Sequence, residues 1–302
     1  MAPVARVGFI GIGKMGWPMA ARLVDAGFDV RVCDATPGRA EDFAARIGGR
    51  AASTPERAAV EADAVITMLP SSVQVRGVIE AIRSALREGA IVVEMSSGEP
   101  GATRQIAEAL ESKGVRLVDA PVSGGVSRAE TGELAIMAGG DAADLQAVEP
   151  LLRAMGSSIT HVGGVGAGQA MKALNNLVSA GGFLIGIEAL LIGQRFGLDP
   201  ALMVDVLNAS TGMNNSTQRK FRQFVLSRRF DSGFSLDLMV KDLSTALGVA
   251  RETETPTPFA ALCRELWSAG RGALGEGQDH TAIARFSEDL AGVELGGGGR
   301  ES

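Results

Sequence analysis

The sequence predicts an α/β chain in which a doubly wound parallel sheet is joined by a long helix to an all-helical second domain. Three observations predict it. Short β-branched runs alternate with helical patterns through the first half of the chain, as repeated strand–helix–strand units require. The alternation stops at the glycine cluster Gly163, Gly164, Gly166 and Gly168. Beyond that cluster the apolar residues recur with helical period and no convincing strand follows.

The expected strands cover 6–10, 30–34, 64–68, 91–94, 116–119, 134–138 and 159–162, each a run of four or five residues dominated by Val, Ile, Leu and Ala. Helical patterns fill most of the gaps, for example 15–26, 38–47, 73–85 and 103–113. The glycine cluster then reads as a flexible hinge. After it, 169–196 forms one long helix, roughly 40 Å at about 1.5 Å per residue. Gly197 suits the residue past its end, and Asp199-Pro200 suits the cap and first position of the next helix. The segments 201–208, 216–225, 236–253 and 258–269 also read as helices, and the glycine run 296–299 as a frayed tail. The expected organisation is a dinucleotide-binding domain over 1–163, a connecting helix over 164–196, and a helical substrate and oligomerisation domain over 197–302.

Composition limits the partners. The chain of 302 residues is long enough for two domains with a substantial core. With 46% hydrophobic and 21% charged residues it has the balance of a soluble globular protein. A net charge of −6 gives no electrostatic footprint for nucleic acid. The one dense basic stretch, Arg219, Lys220, Arg222, Arg228 and Arg229, reads as a solvated helix face or a site for an anionic substrate. Cys33 and Cys263 lie far apart at no metal-ligand spacing, which fits free thiols in a reducing cytoplasm. The opening residues run into a strand rather than a secretory signal. The apolar stretch 177–193 contains Glu188 and several glycines, and reads as a buried core helix rather than a membrane span.

The strongest motif is Gly11-Ile12-Gly13-Lys14-Met15-Gly16, which follows the first strand and leads into the first helix. Gly11 permits the tight turn, Gly13 lets a pyrophosphate approach the backbone, and Gly16 allows close packing of helix on strand. The helix N-terminus offers unpaired N–H groups and a positive dipole end to phosphates. Asp34 closes the second strand about 20 residues further on, where a carboxylate binds the adenosine ribose. An acid there favours NAD over NADP, although Arg39 is close enough in sequence to soften that preference. These residues predict a Rossmann-type domain that binds NAD, with NADP possible.

Hydride chemistry at a carbinol needs a general acid/base at the oxygen, and the residues present narrow its identity. The chain has no tyrosine, which excludes a Tyr–Lys mechanism. Two cysteines and two histidines give little basis for a zinc site. His161 and His280 read as structural or surface residues. Only five lysines occur, Lys14, Lys113, Lys172, Lys220 and Lys241. Lys172 stands among Ala170, Met171, Ala173 and Leu174 in the long helix, where burial would draw its pKa toward neutrality. The alternative is a lysine that snorkels from a core helix. Asn176 lies one turn on, on the same face.

Taken with these residues, the chain resembles the β-hydroxyacid dehydrogenases, the family of 3-hydroxyisobutyrate dehydrogenase and tartronate semialdehyde reductase, related to 6-phosphogluconate dehydrogenase. The resemblance runs from about Val4 to Ala284. Gly8-Phe9-Ile10-Gly11-Ile12-Gly13-Lys14-Met15-Gly16 looks like the family's cofactor fingerprint, and Met68-Leu69-Pro70 like the strand end beside the nicotinamide. Asp119-Ala120-Pro121-Val122-Ser123-Gly124-Gly125 is similar to the substrate loop, which implies that Ser123, Gly124 and Gly125 hold the substrate carboxylate. Gly166-Ala167-Gly168-Gln169-Ala170-Met171-Lys172-Ala173-Leu174-Asn175-Asn176 resembles the catalytic segment, which implies catalysis by Lys172 and substrate contact by Asn176. Lys241-Asp242 resembles the second-domain pair whose lysine reaches cofactor and substrate.

The chain departs from the family in places. Glu94-Met95-Ser96-Ser97 stands where members commonly have Asp-x-Ser-Ser/Thr, leaving Ser97 as the hydroxyl expected near the nicotinamide; Gln74 stands where some carry Asn. The polar segment from Ser210 to Thr217 is expected to face the far end of the substrate, and hints at a hydroxylated or carboxylated one. The resemblance implies hydride transfer between NAD(P) and a small 3-hydroxy acid or its semialdehyde, with Lys172 as general acid/base. The alternatives are an imine reductase or a succinic or glyoxylic semialdehyde reductase on the same fold, or a non-catalytic scaffold. Related imine reductases replace the lysine, and a scaffold would lose it or the glycine motif, whereas both are intact here. The apolar surface of the long helix predicts a homodimer or homotetramer.

Overall fold

The structure, a computed structural model, describes residues 4–296. The chain divides into two compact units, the first ending at Lys172 and the second beginning at Ala173, so that the division falls inside the long helix.

In the first unit, β1 (Arg6–Ile10), β2 (Asp29–Cys33), β4 (Ala64–Thr67), β5 (Ile91–Glu94) and β6 (Arg116–Asp119) are parallel neighbours, with β3 (Arg50–Ala51) at the edge beside β2. The central strands are buried from end to end, which is why they read as continuous apolar runs rather than alternating ones. Helices α1 (Gly16–Asp25), α2 (Arg39–Arg46), α3 (Pro55–Ala59), α4 (Ser72–Ile82) and α5 (Pro100–Glu111) make the crossovers. Two core clusters result, one centred on Phe9, Met19, Leu23 and Val93, the other on Ile79, Ile82, Val92 and Leu110.

The sheet is not parallel throughout, as the sequence predicts it to be. β8 (Leu134–Gly139) runs antiparallel to β6 and to the two-residue β7 (Val122–Ser123). Only residues 124–133, which include α6 (Gly125–Thr131), separate β7 from β8, fewer than a parallel crossover of a dozen residues or more requires. α7 (Ala142–Met155) is long enough, and β9 (Gly156–Gly163) returns parallel to β8. α7 starts on Asp141, whose carboxylate accepts from the N–H of Ala143 at 2.8 Å.

The second unit is helical: the remainder of α8 (Ala167–Phe196), then α9 (Pro200–Asn208), α10 (Asn215–Arg219), a π-helical turn over Phe221–Leu226, α11 (Leu236–Glu252), α12 (Pro258–Leu274) and α13 (Ile283–Ala291). α8 ends as the sequence expects, with Gly197 at φ +100° and Asp199 capping α9 by accepting from the N–H of Leu202 at 2.8 Å. The single helix expected over 216–225 is broken in two. The wider π turn buries Phe221 and Val225, and the Phe221 ring takes the space a side chain at Gly186 would fill. Phe183, Phe221 and Trp267 centre the core.

His280, expected in a polar loop, is 3% exposed and packs against Phe183, Phe234 and Trp267. Burial and then the charge of Lys220 push it down to about 4. Burial likewise pushes the thiols of Cys33 and Cys263 up, the latter to about 11, so neither is activated at neutral pH. Of the expected tail, 297–299 lies outside the described residues.

Candidate functional site

One row of paired residues crosses the carboxyl edge of the sheet: Cys33, Ile10, Thr67, Glu94 and Asp119, with Gly139 paired to Asp119. The segments that leave this row carry most of the residues expected from the sequence. That is the edge where open α/β sheets bind ligands.

At the first segment, Gly11 has φ +97°, and a Cβ there would lie 2.4 Å from the carbonyl oxygen of Met68. A Cβ on Gly16 would lie 2.0 Å from the carbonyl oxygen of Gly11. Both glycines are demanded by the chain itself. Gly13 is different: a Cβ there would meet nothing within 4 Å, so the missing side chain leaves space on the outer side of the turn. Lys14 beside it is exposed, and Met15 begins α1 with no side-chain cap on the helix N-terminus. An open glycine next to uncapped N–H groups fits a pyrophosphate. A cleft of about 640 Å³ runs from Gly13 and Lys14 past Trp17 to Arg39.

Asp34 follows β2. Its Oδ2 accepts from the N–H of Ile12 at 2.9 Å, and its Oδ1 from the N–H of Thr36 at 2.8 Å and from Arg39 Nη1 at 3.0 Å. The carboxylate therefore braces the glycine turn, and Arg39 is its direct partner. Met68, after β4, donates its N–H to the carbonyl of Ile10 at 2.9 Å. Leu69 donates its N–H to Ser96 Oγ at 2.9 Å, and Pro70 is exposed. Gln74, in the first turn of α4, accepts from the Ser71 hydroxyl. Ser97 is half-buried in the turn after β5. Ser123 ends β7, and Gly124 and Gly125, at φ +142° and +71°, turn the chain into α6.

The expected hinge is a tethered turn. Asp119, fully buried, accepts from the N–H of Gly166 at 2.7 Å and of Gln169 at 2.9 Å, at the start of α8. Burial pushes its carboxyl up from the usual range, against the pull of those N–H donors. The close approach needs glycine: a Cβ at Gly168 would lie 2.3 Å from the carbonyl of Met137, and one at Gly139 2.6 Å from Asp119 Oδ1. Gln169 accepts from the N–H of Gly98 at 2.7 Å and donates to the carbonyl of Ser96 at 2.8 Å and to Glu94.

One turn after Gln169, Lys172 is 7% exposed on α8. Asn176, a further turn on in the second unit, is equally buried and donates to Asp242 Oδ2 at 2.5 Å. Lys241 Nζ lies 3.0 Å from Asp242 Oδ1, so Asn176, Asp242 and Lys241 form one array. Sequence reasoning named Asp242 only as the neighbour of Lys241, and gave Gln169 and Glu94 no role. The signal available was a polar residue at a position that the apolar pattern marks as buried.

Other expectations dissolve into structure. In the segment from Ser210 to Thr217, Asn214 accepts from the N–H groups of Ser216 and Thr217, and Thr217 Oγ1 from the N–H of Asn214. That is a capping box, so helix initiation accounts for the polarity of Asn214 and Thr217. In the basic stretch, Arg222 pairs with Asp205, Arg228 with Glu288 and Arg229 with Asp231. These neighbours answer most of the charge left for an anionic substrate there. His161 lies within β9, its Nε2 2.9 Å from the carbonyls of Gly140 and Gly163, as a structural residue would. α8 is long and apolar enough to cross a membrane by composition, but 56% of that window is buried within the chain, as in a core helix. Among the described residues no cluster of His, Cys, Asp and Glu has metal-binding geometry.

Comparison with known proteins matches both parts of the chain. Residues 6–163 match the NAD-binding domain of 6-phosphogluconate dehydrogenase, and residues 166–287 match the NAD-binding domain of NADP-dependent 3-hydroxyisobutyrate dehydrogenase. The chain is 36% identical to 2-(hydroxymethyl)glutarate dehydrogenase of Eubacterium barkeri, over 97% of this chain and 98% of that one. It is also 36% identical to 3-hydroxyisobutyrate dehydrogenase of Pseudomonas aeruginosa, over 93% and 97%. Among solved structures, 3-hydroxyisobutyrate dehydrogenase of Mycobacterium tuberculosis with L-serine superposes with a TM-score of 0.87 at 33% identity, covering 94% of this chain and 99% of that one.

Proposed function

The chain belongs to the β-hydroxyacid dehydrogenase family, an NAD(P)-dependent oxidoreductase acting on hydroxy acids, and from that premise we propose how its own residues do the work. The substrate is a small acid with a primary alcohol on the carbon β to its carboxylate. That group is common to 3-hydroxyisobutyrate, 2-(hydroxymethyl)glutarate and serine, the compounds in the names of the similar proteins. The observation that carries the mechanism is Lys172, a lysine buried on α8 one turn before Asn176.

The bound NAD(P) supplies the hydride acceptor, or the donor in the reverse direction. Lys172 Nζ takes the proton from the substrate hydroxyl during oxidation, and returns it to the forming alcohol during reduction. Asn176 orients the same oxygen, with its amide fixed by Asp242. Ser123 Oγ and the backbone N–H groups of Gly124 and Gly125 hold the substrate carboxylate; the consecutive positive φ angles there support such a cradle. Gly11 to Gly16, Asp34, Met68 to Pro70, Gln74 and Ser97 line the cofactor. Lys241 adds a cation for it, within the region matched as NAD-binding.

Two further features belong to this reading. Val178, Ile185, Ile192 and Phe196 form one exposed stripe along α8, 76%, 56%, 71% and 84% exposed, which a second copy of the chain covers. Two buried free thiols suit a reducing cytoplasm.

The test is a panel of 3-hydroxyisobutyrate, L-serine, glycerate and 2-(hydroxymethyl)glutarate, each with NAD+ and NADP+, followed by NAD(P)H absorbance. At least one acid is oxidised. Failure of the whole panel, in both directions and with both cofactors, contradicts the proposed substrate class.

A further inference from the structure

The start of α8 is held by more hydrogen bonds than a helix N-terminus needs. Asp119 alone accepts from the N–H groups of Gly166 and Gln169. The Gln169 side chain adds a second attachment, and its partners flank one residue. Its Oε1 accepts from the N–H of Gly98 and its Nε2 donates to the carbonyl of Ser96, so the amide grips the backbone on both sides of Ser97. Glu94 completes the array: it accepts from Gln169 Nε2 and, through Oε1, from the N–H of Ser96 at 2.8 Å. Ser96 Oγ in turn accepts from the N–H of Leu69, the segment after β4. Gln169 and Glu94 are each 1% exposed and Ser96 is fully buried. A buried network whose members all have partners fixes one geometry, because any rearrangement strands a polar group.

We propose that Gln169 is a positioning residue, which with Glu94 sets Lys172 in register with the Ser97 turn. Gln169 and Lys172 are three residues apart on α8 and share a face, so a shift of the amide by one hydrogen bond carries the lysine with it. A buried ladder of the same kind runs Leu69–Ser96–Gln169, tying the expected nicotinamide-side segments to the helix that bears the proton-transfer group. Helix initiation alone does not require it, since Asp119 already provides the cap. The proposal rests on the reading of Lys172 as the proton-transfer residue.

Gln169→Met keeps the length of the side chain and removes all three hydrogen bonds. With the best-oxidised acid of the panel, kcat is expected to fall about 10- to 100-fold, the loss that follows from a misplacement of about 1 Å. The NADH dissociation constant stays within about twofold, while the melting temperature falls because the N–H of Gly98, the carbonyl of Ser96 and Glu94 lose their partner. The primary isotope effect on kcat, measured with the acid deuterated at its carbinol carbon, rises as chemistry becomes slower than product release. An unchanged kcat and isotope effect overturn the proposal, and so does a fall in kcat matched by a parallel loss of cofactor affinity with the isotope effect unchanged. If Gln169→Met does not fold, Glu94→Gln is the second test. It keeps the shape and weakens one link, and a smaller fall in kcat with a raised isotope effect is expected; wild-type values for both overturn the proposal. Lys172→Ala, run alongside, separates the two ideas. Full turnover in that variant removes the proton-transfer reading itself, whereas an inactive Lys172→Ala beside an unaffected Gln169→Met removes only the positioning role.

Discussion

Gly13 and Gly16 sit three residues apart in one turn and respond oppositely to a methyl group. Gly16 has the carbonyl of Gly11 2.0 Å from where a Cβ would stand, whereas Gly13 faces open space. Gly16→Ala is therefore expected to lower stability by at least about 1–3 kcal/mol, the cost of overpacking, seen as a lower urea midpoint. Gly13→Ala is expected to leave that midpoint unchanged while raising the NADH dissociation constant tenfold or more, because the methyl stands where the pyrophosphate comes closest. A stability loss at Gly13, or normal cofactor binding there, contradicts the assignment of its empty side to phosphate. The glycine motif was legible in the sequence because its demands are local: a turn, a strand before it and a helix after it. Asp34 was legible for its place at the strand end. Its bond to the N–H of Ile12 was not, since that joins two segments brought together only by the sheet. The same holds for Asp242, which acquires its meaning from Asn176 on another helix.

At the scale of elements, α8 shows what the chain invests in placing one helix. Its first turn is capped by a carboxylate from β6 and requires glycine at 139 and 168 to come close enough. Asp119→Ala removes the acceptor of two buried N–H groups, and the expected cost is about 2–4 kcal/mol, taking each stranded donor at about 1–2 kcal/mol. Chemical denaturation measures it; a loss below about 0.5 kcal/mol would show that water or another group serves those donors. The sequence carried the existence of α8, its end at Gly197 and the central parallel strands, because long apolar periods and fully buried strands are strong signals. It did not carry β3 and β7, which are two residues each and have no period to read. The antiparallel turn of β8 was missed for a different reason. Residues 120–133 part the expected strands, enough for a parallel crossover, and only the unread β7 shortens the connection to β8. Of the glycines read as a hinge, Gly168 serves close packing whereas Gly164 faces open space, a distinction that composition alone does not make.

Across the whole molecule, the exposed stripe of α8 and the buried His280 give two expectations. The stripe, at spacings of seven, seven and four residues, is one face of one helix. Sedimentation velocity should find a dimer or larger assembly, and Ile185→Glu should shift it toward monomer without unfolding the chain; a wild-type monomer at all concentrations contradicts the self-association. His280 is expected to add to acid sensitivity. Its folded pKa is depressed from 6.5 to about 4, so above pH 6.5 it is neutral in both states and its contribution to stability is complete. As the pH falls from 6.5 toward 4, the unfolded chain binds a proton that the native state refuses, and stability drops by up to about 1.4 kcal/mol per pH unit. The urea midpoint should fall across that window, and the fall should flatten in His280→Asn. An equal slope in the variant would assign the acid sensitivity to other groups.

The most direct test of the central claim is the turnover of Lys172→Ala beside its cofactor affinity. With the best acid of the panel, kcat is expected to fall about 10²- to 10⁴-fold, the contribution of a placed general acid/base, while the NADH dissociation constant measured by fluorescence stays within a few-fold of wild type. Turnover close to wild type in a variant that still binds NADH would contradict the account, and would leave Lys172 as a buried structural lysine.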